Sequence, residues 1–510
     1  MIDAVELERY PADFIDTALI DDLLREAKPP SAPEVAGILA HAREAKGISL
    51  SEAAQLLLLE DPELLAEVYA TARLVKERIY GKRMVFFAPL YISDYCVNNC
   101  VYCGYRHRNE FPRRRLTLDE VRQEVRILES LGHKRLALEA GEDPVHCPID
   151  YVLDVIGAIY ETTEDHGEIR RVNVNIAATT VAEYRLLKAA KIGTYVLFQE
   201  TYHPETYRRM HPSGPKSNYA WHLTAMDRAM EAGIDDVGLG VLFGLYDYRF
   251  EVLALLLHAR HLEERFGVGP HTISVPRLRP ARGVTLDKFP YLVGDEQFKK
   301  VVAVLRLAVP YTGMILSTRE RPGYRDEVLA LGISQLSAGS CTGVGGYRQE
   351  YGHDHRAEPL LEHLQDRDLA APAATAAIPG TATNGTGTCA ARSEEAAQFT
   401  VEDRRSPDEM IRSLCQGGFL PSFCTACYRR GRTGDRFMRL AKTGQIQNIC
   451  QPNAILTFKE YLLDYASAET RELGEQVIAT HLQEIGNQRV KEETLRRLRR
   501  LEQGERDLYF

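Results

Sequence analysis

From about residue 82 to residue 340 two kinds of apolar pattern take turns along the chain. Short apolar runs of strand length recur at 84–92, 135–139, 172–176, 195–199, 236–242, 272–275, 314–316 and 333–336. Between them, apolar residues fall three and four positions apart, the spacing of one helix face, over 118–131, 150–164, 180–190, 218–232, 249–266 and 295–309. The first of these segments opens at Thr117 with Glu120 three positions on, a capping-box pair. Eight strand–helix repeats predict an α/β fold, a closed (β/α)8 TIM-type barrel. A doubly wound open sheet is the competing layout, and the count of eight favours closure.

The flanks read differently. Residues 1–81 carry helical spacing at 31–46 and 49–80 and predict an N-terminal helical extension to a barrel over 82–365. Residues 366–398 are almost all Ala, Pro, Thr and Gly. Such a segment buries too little apolar surface to offset its ordering entropy, so a disordered insertion is expected, with Cys389 an incidental thiol. From 399 to 510 the helical pattern returns, at 407–416, 436–441, 452–465 and 469–503, and predicts a helical C-terminal domain.

Composition narrows the function classes. The net charge of -9 argues against a nucleic-acid surface. No apolar run is long enough for a membrane span, and the acidic first thirty residues lack the apolar core of a signal peptide. Ten cysteines, six of them in two groups, read as metal ligands and not disulfides, which implies a reducing cytoplasm.

The first group is Cys96, Cys100 and Cys103, a C-x3-C-x2-C spacing directly after the first predicted strand. Three thiolates can hold one cubane iron–sulfur cluster and leave its fourth iron open. A zinc knuckle, with His107 as fourth ligand, is the alternative, but the strand-then-loop setting suits the cluster better. Loop, spacing and Tyr102 resemble the radical S-adenosylmethionine (SAM) enzymes. That resemblance implies that the open iron chelates SAM, and that an electron from the cluster cleaves SAM to a 5′-deoxyadenosyl radical. After the second strand, Ala140-Gly141-Glu142 resembles the family's Gly-Gly-Glu stretch, with alanine for the first glycine. Asn175 ends strand three and Glu200 ends strand four, where polar groups can hold SAM.

After strand seven, Arg319 can grip a carboxylate through two parallel hydrogen bonds, and Ser340 follows strand eight. Together they read as an amino-acid site, against the alternative that Arg319 pairs with Glu320 or Glu327. The second cysteine group is Cys424, Cys427 and Cys450, again three thiols, with Cys415 nearby as a packing residue. A closed zinc site would need a further ligand, and His481 is the only histidine downstream, so a second cluster with one open iron is the better reading. His271 opens strand six at the opposite end of the barrel from the first group. If the C-terminal domain caps that end, His271 points at the second cluster.

Residues 96–109, 270–280, 316–320 and 421–438 together resemble the HydG-type tyrosine lyases that help build the active-site cluster of [FeFe]-hydrogenase. The resemblance covers nearly the whole chain apart from the insertion, which departs from the family pattern. It implies two [4Fe-4S] clusters and SAM. It also implies cleavage of the Cα–Cβ bond of L-tyrosine to p-cresol and dehydroglycine, and conversion of the latter to CO and cyanide at the second cluster. There, an extra iron bridged by free cysteine collects them, and the histidine holding that iron matches His271. The arginine that binds the tyrosine carboxylate matches Arg319. An electron donor such as ferredoxin or flavodoxin and the other hydrogenase maturases are the implied partners. The ThiH-type 2-iminoacetate synthases of thiamine synthesis, which share the barrel but lack the C-terminal cysteines, are the competing family reading. An iron–sulfur scaffold or carrier without catalysis is the reading from another class.

Overall fold

The computed structural model describes residues 4–352 and 397–510. Its centre is a closed barrel of eight parallel strands: β1 (Arg83–Ser93), β2 (Arg135–Ala140), β3 (Arg171–Asn175), β4 (Tyr195–Val196), β5 (Val237–Gly240), β6 (Thr272–Ser274), β7 (Gly313–Leu316) and β8 (Gln335–Ser337). Closure comes from β8 pairing back onto β1, with Val85 opposite Gln335 and Phe87 opposite Ser337. The open-sheet alternative is thereby excluded. Each predicted run yields one barrel strand, but the ladders of β4 and β5 are shorter than the apolar runs at 195–199 and 236–242.

Helices cover the outside because their apolar faces need the sheet's outer face. Leu118–Ser130 starts through the expected box, Thr117 with Glu120. Three predicted helices are each broken, one of them, at 218–232, into Tyr219–Leu223 and Ala225–Glu231. The segment at 49–80 splits into Leu50–Leu57 and Pro62–Tyr80, since Asp61 caps a new start and Pro62 takes its first position. The segment at 469–503 splits into Ala468–Gln483 and Gln488–Glu502, with Asn487 capping the second.

A ninth strand, β9 (Leu420–Ser422), was not legible in the chain's pattern. It pairs in parallel with the start of β1, Arg83 opposite Leu420 and Val85 opposite Ser422. β2 meets β1 only from Ala88 onward. The first residues of β1 therefore project beyond β2 at the N-terminal end of the barrel, and β9 fills that edge. This pairing carries the following loop, with Cys424, to that mouth. A buried ion pair and a buried hydrogen bond hold the C-terminal helices against the barrel: Arg170 meets Glu460 at 2.9 Å, and Gly434 N donates to Asp236 Oδ1 at 3.0 Å.

The expected insertion at 366–398, with Cys389, lies outside the described residues except for its last two. Those two correct its expected boundary. Gly104 N donates to the Gln398 carbonyl at 3.1 Å and the Tyr91 hydroxyl donates to Gln398 Oε1 at 2.9 Å, so 397–398 belong to the barrel mouth. No helix among the described residues is long and apolar enough to cross a membrane.

Candidate functional site

The strand ends place two cavities at opposite mouths of the barrel. The larger, of about 210 Å³, lies at the C-terminal mouth and is lined by Cys96, Cys100 and Cys103. The loop that carries them is fastened to the loop after β2. Gly141 N donates to the Ser93 carbonyl at 3.0 Å, Val97 N to the Glu142 carbonyl at 2.8 Å, and Asn98 Nδ2 to Glu142 Oε2 at 2.6 Å. A side chain at position 141 would bring a Cβ within 2.3 Å of the Tyr95 carbonyl oxygen, which is why glycine stands there.

The three thiols fit an iron–sulfur cluster. They are held in one loop, and Tyr105 N donates to Cys103 Sγ at 3.4 Å. Burial pushes all three above the ordinary thiol value, Cys103 to about 11, so entering iron must displace their protons. His107 does not join them. Its exposed ring faces the Cys96 carbonyl at 3.3 Å, which removes the fourth ligand that a zinc knuckle would need.

Every residue that the sequence pointed to for this mouth lines the same cavity: Tyr102, Gly141, Glu142, Asn175, Glu200, Arg319 and Ser340. The Tyr102 hydroxyl is hydrogen-bonded to His211 Nε2 at 2.8 Å. Glu200 has a left-handed backbone, φ 69°, a cost that a non-glycine residue bears only where its surroundings enforce it. Its carboxylate is neutralised by Lys216 at 2.8 Å.

Arg319 stands apart. Neither suspected partner takes it, since Glu320 is bound by Arg277 and Arg279, and Glu327 by Lys299. Its guanidinium stacks on Phe399 at 3.5 Å and makes one long contact, 3.5 Å, to the Arg277 carbonyl. Burial lowers its pKa. The hydroxyls of Ser317 and Ser340, on the same wall, are buried without a hydrogen-bond partner among the described residues. A buried cation and two unsatisfied hydroxyls thus line one cavity, groups of the kind that hydrogen-bond a carboxylate.

The smaller cavity, about 50 Å³, lies at the N-terminal mouth and is lined by Cys424, Cys427, Cys450 and His271. Ala426 N donates to Cys424 Sγ at 3.4 Å, the counterpart of the contact at the first loop. The contact between the two thiols draws Cys450 below and pushes Cys427 above the ordinary thiol value. His271 Nδ1 lies 3.4 Å from Asp236 Oδ1 without a hydrogen bond, and burial pushes the imidazole down to about 4. A neutral imidazole and three thiols are donor types that iron takes; they line one cavity, but among the described residues no three such groups converge on a single metal ion. Cys415 packs in the helix Pro407–Gln416 and lines neither cavity.

Sequence reasoning missed five charged residues. Arg83, Arg135 and Arg171 line the lower cavity, and Glu139 and Lys216 line the upper one. For those on the strands the signal was the two-residue alternation of β1, β2 and β3. Arg135, Ala137 and Glu139 point inward in turn, as do Arg171, Asn173 and Asn175. That alternation also measures the wall between the cavities. Val85, Arg135, Arg171, Gly313 and Gln335 line the lower one, and Phe87, Ala137, Asn173, Ile315 and Ser337, each two residues on, line the upper. One inward step per strand, about 7 Å, separates them.

Comparison with known proteins agrees with this layout. Residues 90–259 match the Radical SAM superfamily and residues 274–420 the Biotin and Thiamin Synthesis associated domain. The chain is 33% identical over 307 residues to the 2-iminoacetate synthase of Escherichia coli (strain K12), covering 60% of this chain and 77% of that protein. A crystal structure of HydG, a maturase of the [FeFe]-hydrogenase, is 59% identical with a TM-score of 0.87, covering 98% of this chain and all of that one. The maturase HydG from Carboxydothermus hydrogenoformans is 38% identical, TM-score 0.76, covering 96% and 100%.

Proposed function

Because the chain belongs to the HydG family of radical SAM maturases, we propose that it is a tyrosine lyase serving assembly of the [FeFe]-hydrogenase active-site cluster. It cleaves the Cα–Cβ bond of L-tyrosine to p-cresol and dehydroglycine, and dehydroglycine goes on to CO and cyanide. Membership in the radical SAM superfamily brings a [4Fe-4S] cluster and SAM, and that pair supplies the 5′-deoxyadenosyl radical. Cys96, Cys100 and Cys103 are the residues that would hold the cluster. Tyr102, Gly141, Glu142, Asn175 and Glu200 would hold SAM beside it.

The chain's own side chains do the rest of the positioning. Arg319 takes the tyrosine carboxylate, and the open hydroxyls of Ser340 and Ser317 complete its hydrogen bonds. Burial in the barrel keeps water from a reactive site. Cys424, Cys427 and Cys450 would hold an auxiliary cluster, with His271 at an extra iron that free cysteine can bridge. Residues 399–510 act as the domain that holds this second site. Ala137, Ser274 and Ser337 line the upper cavity beside the larger Phe87 and Ile315, and a passage for diatomic molecules would run past these smaller residues. A low-potential donor of the ferredoxin or flavodoxin class and the other hydrogenase maturases are the proposed partners.

The observation that carries this reading is the pair of three-thiol sites at opposite mouths of one barrel. The 2-iminoacetate synthase matches 60% of the chain, whereas the HydG structures match 98% and 96% of it. Anaerobic turnover of the iron-reconstituted protein with tyrosine and SAM tests it. The expected products are p-cresol, CO and cyanide. Glyoxylate without diatomic products would point to 2-iminoacetate synthesis instead.

A further inference from the structure

The upper cavity contains three carboxyl groups, and two of them are already engaged. Glu142 accepts from Asn98 at 2.6 Å on the cluster-binding loop, and Glu200 pairs with Lys216 at 2.8 Å. The third, Glu139, ends β2 and faces inward. It accepts one hydrogen bond, from Asn175 Nδ2 at 2.7 Å, and has no ion-pair partner among the described residues. Arg319, which follows β7 and lines the same cavity, is a cation without a carboxylate partner among the described residues. This carboxyl and this guanidinium share one cavity and do not pair with each other. A free amino acid carries the complementary pair, a carboxylate and an ammonium, on a single carbon.

We propose that Glu139 is the anchor for the ammonium group of the substrate, so that Glu139 and Arg319 together restrict the cavity to free α-amino acids. This rests on the tyrosine-lyase reading and names a positioning residue within it. The environment of Glu139 agrees. Burial pushes its carboxyl up to about 8, against the opposing pull of Asn175 and Arg319, with Glu200 adding to the rise. Tyr91 and Tyr105 are further titratable groups near enough to feel its charge. A carboxyl held partly protonated in the empty site releases its proton when an ammonium arrives, because the cation favours the charged form. Binding of tyrosine should therefore expel a proton from Glu139.

The test uses the full chain with its iron sites reconstituted and SAM present. Binding of L-tyrosine and of 3-(4-hydroxyphenyl)propionate, which lacks only the amino group, is followed by calorimetry in buffers of different ionisation enthalpy. Glu139→Gln should weaken L-tyrosine about 10- to 100-fold and leave the deaminated analogue and SAM unchanged. It should also abolish the proton release. Glu139→Asp, which keeps the charge, should retain part of the preference for the amine and guards against a folding defect in the amide. Equal loss of both ligands, a loss confined to SAM, or unchanged tyrosine binding and proton release would overturn the inference. A wild-type protein that neither binds tyrosine nor forms p-cresol would instead remove the tyrosine-lyase reading, and this inference with it.

Discussion

Arg319 shows what a single residue contributes when its usual partners are taken. Glu320 and Glu327 are neutralised elsewhere, so the guanidinium is left facing the cavity. A guanidinium binds a carboxylate through a planar fork that an ammonium cannot reproduce. Arg319→Lys should therefore raise the KM for tyrosine about 10- to 100-fold, as charged hydrogen bonds contribute about 1.5–3 kcal/mol. SAM cleavage without tyrosine should persist, and steady-state kinetics in both modes checks this. A second residue tests the fold. His133 is fully buried, neither ring nitrogen has a hydrogen-bond partner among the described residues, and burial pushes it from 6.5 down to about 4. The unfolded chain thus binds more protons than the folded one between these values, so stability is present above pH 6.5 and lost as pH falls towards 4. Relative to His133→Phe, the wild type should lose roughly 2 kcal/mol between pH 7 and pH 5, read by denaturant unfolding at both. A flat difference would mean that the ring is not held neutral. Arg319 was legible because it follows an apolar run at a barrel mouth. Glu139 was not, because only the closed sheet decides which of two neighbouring residues points inward.

At the scale of elements, apolar periodicity gave the barrel because strands buried on both faces stand out as continuous runs. Where burial is not the signal, the pattern failed. β9 is three residues long with Pro421 at its centre, and it exists only because the start of β1 extends beyond β2. The break at Pro62 was overlooked because the apolar spacing continues across it, although Asp61 and Pro62 form a helix start. The pairing of the β1 and β2 loops is a further feature of this scale. The contacts from Gly141 N and Val97 N join the two loops back to back, and position 141 has no room for a Cβ against backbone. Gly141→Ala should push the cysteine loop away from its place. The expected outcome is loss of SAM cleavage and of iron at the first site, with the C-terminal site still loaded. Iron and sulfide counts with electron paramagnetic resonance of each cluster would show it. Retention of both clusters and of SAM cleavage would mean that the loop accommodates the methyl group.

The whole molecule is organised by β1, which runs 11 residues, or about 36 Å, and ends near one cysteine loop while its start holds the strand that leads into the other. Each thiol trio has its own cavity, and a single inward step of side chains lies between the cavities. The C-terminal helices close the lower mouth through the Arg170–Glu460 pair and the Gly434–Asp236 contact, which involve none of the residues at the upper mouth. Chemistry at the first site therefore does not require an intact second site, while anything formed at the first must cross the barrel interior to reach the second. Cys427→Ala removes one thiol from the lower cavity and leaves the lining of the upper one unchanged. The variant should form p-cresol at the wild-type rate and lose the assembled iron product. Cys100→Ala should lose both, because SAM cleavage comes first. Chromatography of p-cresol and infrared detection of iron-bound CO and cyanide separate the two variants. If Cys427→Ala made the iron product normally, or lost p-cresol as fully as Cys100→Ala, the division of labour between the two mouths would be wrong.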